Sequence, residues 1–305
     1  MTEVRVREML EKSELLAEVR EAGGGLSLVW EALKFVAVIP IIERLCDKFP
    51  RYVINHGIEP LASLDGIWLI GMGLISFVAL AYLALWEGMR PRHAGVRFSP
   101  WPRTVRGFAT GYVVGALIMT SAVLLASFLG GFTYAVNLAQ ADVAAIALVA
   151  LLYVFQAFGE EVLYRGACMM SIARKNSAFA AIVVSSLYFS LHHHFNAGYG
   201  PVAFVNLFLL AVLLAITVFV TNRIWMATAI HAAWNFFQGN VWGINVSGGA
   251  PRATSTLMTS TARPMPVITG GDMGLEGSLV TTAVLLVVLI AVAWLSRSSS
   301  KRVRS

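Results

Sequence analysis

The chain has 305 residues, of which 57% are hydrophobic and 13% are charged, and its formal net charge is +6. An ordinary soluble domain carries about 25% charged residues, so this composition excludes a typical water-soluble protein and predicts that the bilayer is the solvent. The basic excess then indicates cytoplasmic loops of a membrane protein rather than a surface that binds nucleic acid.

The first 25 residues are charged and lack the apolar core of a secretory signal peptide. Leu15, Leu16 and Val19 recur with helical spacing, and Gly23 follows them. This pattern predicts an amphipathic N-terminal segment over residues 1–25 that ends at the glycines.

Eight apolar runs follow, each close to the length at which a helix crosses about 30 Å of hydrocarbon. Glu31, Lys34 and Pro40 interrupt the first run, so an alternative for that run is a helix in the membrane interface. We predict an all-α polytopic membrane protein with about eight transmembrane helices in a domain over 26–296. The runs lie at about 26–45, 66–86, 107–130, 142–173, 178–194, 202–221, 225–243 and 278–296.

The loops give the orientation of these helices. With eight spans, four basic segments fall on the same side as the N-terminus, and the positive-inside rule makes that side the cytoplasm. We therefore expect an integral protein of the cell membrane with both termini in the cytoplasm, and the loop near 246–277 outside. The basic segments contain Arg90, Arg92, Arg97, Arg103 and Arg106, then Arg174 and Lys175, then Arg223, and finally the tail over 297–305.

The fourth run carries Glu160, Glu161 and Arg165. Charged residues inside a membrane helix mark a functional site by default. Four-residue spacing lets Glu161 pair with Arg165 along one helix face, whereas Glu160 points about 100° away. We interpret Glu161 and Arg165 as a supporting pair and Glu160 as the free carboxylate. The alternative is that both glutamates are structural.

Two later runs carry polar side chains at comparable depth. The fifth ends in three consecutive histidines, of which His193 shares a face with Phe189. The seventh stacks His231 and Asn235 on one face, a spacing that interhelical hydrogen bonds would also explain. Such groups must face each other or a water-filled cavity, so we expect one intramembrane cavity. A carboxylate or imidazole there would take a proton from water, and neutral donors would stabilise an oxyanion.

Three ordered motifs of the chain resemble those of the CPBP/Abi family of intramembrane proteases, which includes the type II CAAX prenyl endopeptidases. The resemblance covers about 105–245, and the text around the third motif is similar to a bacterial branch of the family. The motifs are Glu160-Glu161-x-x-x-Arg165, Phe189-x-x-x-His193 and His231-x-x-x-Asn235.

The resemblance implies a helical membrane endopeptidase whose protease core is about 105–245. It assigns water activation to Glu160 and His193 and an oxyanion hole to His231 and Asn235. Glu161 and Arg165 would then support the site.

The family has long been called a group of metalloendopeptidases, so a divalent metal is an alternative. Glu160, His193 and His231 would then hold zinc or a similar ion with one open position. The sequence has no H-E-x-x-H motif, and spacing alone therefore does not require zinc. We favour water activation without a cofactor.

We therefore expect an endopeptidase that cleaves a membrane-associated or lipidated protein or peptide, prenylated substrates included. Its partners would be membrane lipid and this substrate, with no nucleic acid. One alternative is a non-proteolytic accessory or immunity protein of the same fold. Another is a proton-coupled transporter, which would predict inverted repeats, and the sequence shows no convincing internal repeat.

Overall fold

The fold is described from a computed structural model, which covers residues 10–55, 64–137, 139–251 and 253–302. Each of the eight apolar runs forms a helix there, with boundaries that differ from the predicted ones by several residues. The helices are α1 (Glu14–Glu21), α2 (Leu28–Asn55), α3 (Leu64–Leu85), α4 (Trp101–Phe128), α5 (Val143–Glu161), α6 (Ala178–His192), α7 (Pro201–Thr221), α8 (Trp225–Phe236), α9 (Pro266–Thr269) and α10 (Leu279–Arg302).

Within the described residues, three helical segments are long and apolar enough to cross a membrane. A shorter apolar helix spans Leu279–Leu295. The mostly helical fold is as predicted, whereas the count of about eight transmembrane helices stays a prediction. The three segments are Trp101–Phe128, Val143–Ala173 and Pro201–Thr221.

The N-terminal segment contains the short helix α1. Leu15, Leu16 and Val19 are buried on one side of it, as their spacing predicts. The division of the chain into an N-terminal segment, a membrane domain and a basic tail stays a prediction.

The charges that interrupt the first apolar run are paired in the structure. Lys34 Nζ lies 2.5 Å from a carboxylate oxygen of Glu31 and 2.6 Å from a carboxylate oxygen of Glu87. Glu87 belongs to the connection between α3 and α4. Arg174 Nη1 lies 3.2 Å from the other oxygen of Glu87. This pairing offsets the free-energy cost of burying the charges. Helix α2 extends to Asn55, beyond the predicted end of the run at residue 45.

A two-stranded antiparallel sheet lies outside the helices, and the all-α prediction missed it. Strand β1 (Phe132–Val136) pairs with strand β2 (Met258–Ala262), so that Phe132 is opposite Ala262. β2 lies within the stretch 246–277 that the sequence predicts as an irregular loop. Each strand has only 5 residues, which is too short for a clear alternating pattern.

Helix α4 packs against α8 across two glycines. A Cβ atom added to Gly111 would clash with the carbonyl oxygen of Met226, and one added to Gly115 would clash with that of Ile230. Small residues at this spacing let two membrane helices approach closely. The contact therefore sets the position of α8, which carries the third sequence motif.

We expect Gly115→Ala to lower the free energy of unfolding by about 1–3 kcal/mol, because the added methyl group overpacks the α4–α8 contact. Chemical unfolding in detergent micelles would measure the change. Gly107→Ala is the matched control, since a Cβ atom at Gly107 on the same helix meets nothing within 4 Å. Equal unfolding curves for the two variants would contradict the proposed tight contact.

Candidate active site

Helix α5 brings the first motif into the interior of the helical bundle. It continues through a π-helical segment, Val162–Met169, into a last α-helical turn, Met170–Ala173. π-helical segments occur frequently at functional sites, because the wider turn redirects the side chains around it. Arg165 lies in this segment and is fully buried.

The supporting ion pair that the sequence predicts is formed. Arg165 Nη1 donates to Glu161 Oε1 at 3.0 Å, and Arg165 Nη2 donates to the carbonyl oxygen of Ala211 at 3.3 Å. The guanidinium carbon also lies 4.5 Å from the centre of the Phe189 ring, which belongs to the second motif. Arg165 therefore joins α5, α6 and α7.

Glu161 also orients His231, and the sequence analysis did not predict this contact. The Nδ1 atom of His231 lies 3.0 Å from Glu161 Oε1, the oxygen that accepts from Arg165. Because that oxygen already serves as an acceptor, Nδ1–H of His231 is the donor of this hydrogen bond. Nε2 of the same ring then faces Glu160 Oε2 at 3.8 Å.

Glu160 is the carboxylate that remains available for chemistry. It is 8% exposed, and its Oε1 accepts a hydrogen bond from Gln156 Nε2 at 3.1 Å. Among the residues that the structure describes, none donates a hydrogen bond to its buried Oε2. A buried carboxylate oxygen without a donor is costly in an apolar interior, so this atom is suited to bind water or substrate.

His193 caps the C-terminal end of α6 and is the first residue of a 3₁₀ turn, His193–Phe195. Its Nδ1 lies 2.8 Å from the carbonyl oxygen of Phe189, which can only accept. Nδ1 therefore donates, and Nε2 of the neutral ring keeps its lone pair. His193 is buried, whereas His192 and His194 are exposed. His192 also lines the cavity described below, so the choice of His193 from the motif spacing stays a prediction.

Gln156 is a site residue that the sequence analysis did not single out. It lies one helical turn before Glu160, and its Oε1 accepts from Asn235 Nδ2 at 3.1 Å. The side chain thus links the first motif to the third. A lone polar residue one turn before Glu160 in an apolar run was the only available signal. The second Nδ2 hydrogen of Asn235 is left for another acceptor.

A cavity of about 350 Å³ brings two of the four predicted catalytic residues to one space. Glu160 and His193 line it. His231 and Asn235 do not line the cavity. They contact two residues that do, Glu160 and Gln156. The other walls come from Tyr153 and Gln156 of α5, His192, Asn196 and the stretch 246–251.

The stretch 246–251 forms a cavity wall that the sequence did not predict. Ser247 has a positive φ of 47° and lies within a bridge between Val246 and Gly249. Glu276 Oε2 accepts from both the backbone N–H and the hydroxyl group of Ser247, at 2.6 and 2.9 Å. Burial raises the pKa of Glu276 to about 7, while the hydrogen bonds from Ser247 oppose that rise. This glutamate anchors the wall.

The residues that a metal would need do not form a ligand set. Within the described residues, no group of three His, Cys, Asp or Glu side chains is arranged to hold a metal ion. His193 and His231 each use Nδ1 to donate to a protein acceptor, which leaves Nε2 of each ring for another partner, and Nε2 of His231 lies 3.8 Å from Glu160 Oε2. Water activation without a cofactor therefore stays a prediction.

Comparison with known families shows a similarity for one segment of the chain. Residues 142–237 match the family model described as "Type II CAAX prenyl endopeptidase Rce1-like". The matched segment contains all six predicted site residues. No curated protein and no solved structure matches the chain.

Residues 142–237 are therefore similar to the Rce1-like domain of type II CAAX prenyl endopeptidases. This confirms the resemblance for that segment. The class consists of membrane-embedded proteases, which supports peptidase activity and an integral membrane protein. The bacterial branch stays a prediction.

Proposed function

We propose that the protein is an intramembrane endopeptidase that cleaves a membrane-associated or lipidated protein or peptide. One observation carries the proposal: Glu160 and His193, on different helices, line the same cavity. The proposal includes a bacterial cell membrane as the location. Membrane lipid and the substrate are the proposed partners.

Glu160 acts as the general base in this proposal. Its Oε2 is buried beside His231 and has no donor, so it accepts from the attacking water once the side chain shifts on substrate entry, whereas Gln156 donates to Oε1. His193 presents a second accepting atom, Nε2, to the same water, because its Nδ1 donates to Phe189. The base takes one proton from water as the oxygen attacks the peptide carbonyl carbon, and it returns that proton to the amide nitrogen as the C–N bond breaks. No metal takes part in this step.

His231 and Asn235 stabilise the oxyanion that forms on the carbonyl oxygen. Nδ1–H of His231 is committed to Glu161, so Nε2 donates only when the ring is protonated. In that form, Nε2–H of His231 and the free Nδ2–H of Asn235 supply two donors. The side chains of Glu160 and Gln156 separate these two donors from the cavity. The substrate carbonyl group therefore reaches the donors only after Glu160 and Gln156 shift slightly.

The test is peptide cleavage by the purified chain in liposomes, with a membrane-anchored peptide as substrate. We expect His193→Ala to lower the rate by about 10²-fold or more, since a general acid or base contributes about 10²–10⁴. His194→Ala is the matched control, because the neighbouring His194 is exposed and lies outside the cavity wall. Equal losses in the two variants would contradict the role of His193.

A further inference from the structure

One end of the helical bundle forms an arginine-rich face, built from the connections α3–α4, α5–α6 and α7–α8 and from the first turns of α4. The three connections touch each other there. Arg223 Nη1 donates to the carbonyl oxygen of Arg97 at 2.9 Å, and Arg174 lies 3.2 Å from Glu87. We define this face by Arg90, Arg92, Arg97, Arg103, Arg106, Arg174, Lys175 and Arg223.

The cavity lies at the opposite end of the same helices. Helix α6 starts at Ala178, next to the arginine-rich face, and reaches the cavity at His192, about 21 Å along at 1.5 Å per residue. The wall over 246–251 follows the π-helical extension of α8, which ends at Val241. That point is about 24 Å from Trp225, at the arginine-rich end of α8.

The cavity end is poor in basic residues. Of the described connections at that end, 129–137, 139–142 and 193–200 contain no Lys or Arg. Elsewhere in the described chain, the basic residues outside the arginine-rich face and the terminal segments are Lys34 in the first half of α2, Arg44, Lys48 and Arg51 in its second half, the ion-paired Arg165, and Arg263 beside β2. Short loops rich in Lys and Arg stay in the cytoplasm, so the charge difference orients the molecule with the cavity away from the cytoplasm.

We propose that the cavity receives its substrate from the non-cytoplasmic side of the membrane. The substrate class is then an exported or membrane-inserted polypeptide whose cleaved segment lies at the outer leaflet. A prenylated C-terminus that stays in the cytoplasm would be anchored beside the arginine-rich face, on the wrong side for this cavity. This inference rests on the proposed function for the cleavage itself.

Labelling of single cysteines in intact cells tests the orientation without any assay of cleavage. The background is the full chain with Cys46→Ala and Cys168→Ala. Gly200→Cys places a thiol at the cavity end, where a Cβ atom meets nothing within 4 Å, and Lys175→Cys places one on the arginine-rich face. We expect a membrane-impermeant maleimide to label Gly200→Cys in intact cells and Lys175→Cys only after permeabilisation. The reverse pattern would overturn the proposal.

Cleavage in oriented proteoliposomes tests the side of substrate entry. The same two thiols report which end faces outward, and a membrane-anchored peptide is added outside. We expect cleavage in the fraction with the cavity end outward and at least tenfold less in the opposite fraction. Cleavage confined to the opposite fraction would overturn the inference. If detergent-solubilised chain cleaves no peptide, the proposed function fails, while the labelling result still decides the orientation.

Discussion

Replacing Glu160 by glutamine should lower the turnover of a membrane-anchored peptide by about 10²–10⁴-fold, the contribution of a positioned general base. Glutamine keeps the shape of the side chain and one oxygen, so it can still accept from Gln156. It cannot take a proton from water at neutral pH. The measurement is the initial cleavage rate in liposomes at saturating substrate.

Two controls make this result specific to Glu160. Glu21→Gln makes the same chemical change at an exposed position on α1 and should leave the rate unchanged. The thermal unfolding temperature of Glu160→Gln should not fall below that of the unsubstituted chain, because the substitution removes a charge from a buried site. A wild-type cleavage rate in Glu160→Gln would show that the Glu160 carboxylate is not the general base.

Replacing Arg165 by methionine should lower the free energy of unfolding by about 3–5 kcal/mol, the usual loss when one partner of a buried ion pair is removed. Arg165 and Glu161 are both fully buried, and their pair links three helices. The substitution leaves the carboxylate of Glu161 without its guanidinium. Chemical unfolding in detergent micelles measures the loss.

Arg106→Met is the control for the Arg165 prediction, because Arg106 is exposed on α4. We expect that change to stay within about 0.5 kcal/mol, as for most surface substitutions. The double substitution Glu161→Leu with Arg165→Met should recover part of the loss, since neither charge then remains buried without its partner. A single Arg165→Met variant as stable as the control would show that the pair does not hold the helices together.

The helices and the Glu161–Arg165 pair could be predicted from the sequence, because both depend on local spacing. Apolar runs of helical length determine where the helices lie. A four-residue separation determines which side chains share a helix face, and this gave the pairing of Glu161 with Arg165. The motif spacing likewise separated His193 from its two histidine neighbours.

The remaining contacts of the site join segments that are far apart in the chain. The hydrogen bond between Glu161 and His231 and the one between Gln156 and Asn235 depend on how α5 packs against α8. The anchoring of Ser247 by Glu276 depends on where a long connection folds back. Spacing along one helix carries no information about such contacts, so the sequence did not show that Glu161 and Gln156 hold the third motif.

The pairing of β1 with β2 was missed for the same reason. The two strands are short, and the helices α5 to α8 lie between them in the chain. The sequence pattern of either strand alone does not distinguish it from an irregular loop. Their partnership is determined only after the helices have brought both connections to one end of the bundle.

Mass spectrometry of peptide termini is the most direct test that these intramembrane side chains form a hydrolytic centre. Purified chain would be incubated in liposomes with membrane-anchored peptides in water enriched in ¹⁸O. We predict a new internal carboxyl terminus that carries ¹⁸O, produced by the unsubstituted chain and not by Glu160→Gln. Intact peptides after prolonged incubation, or the same new terminus from both proteins, would contradict the assignment of hydrolysis to this cavity.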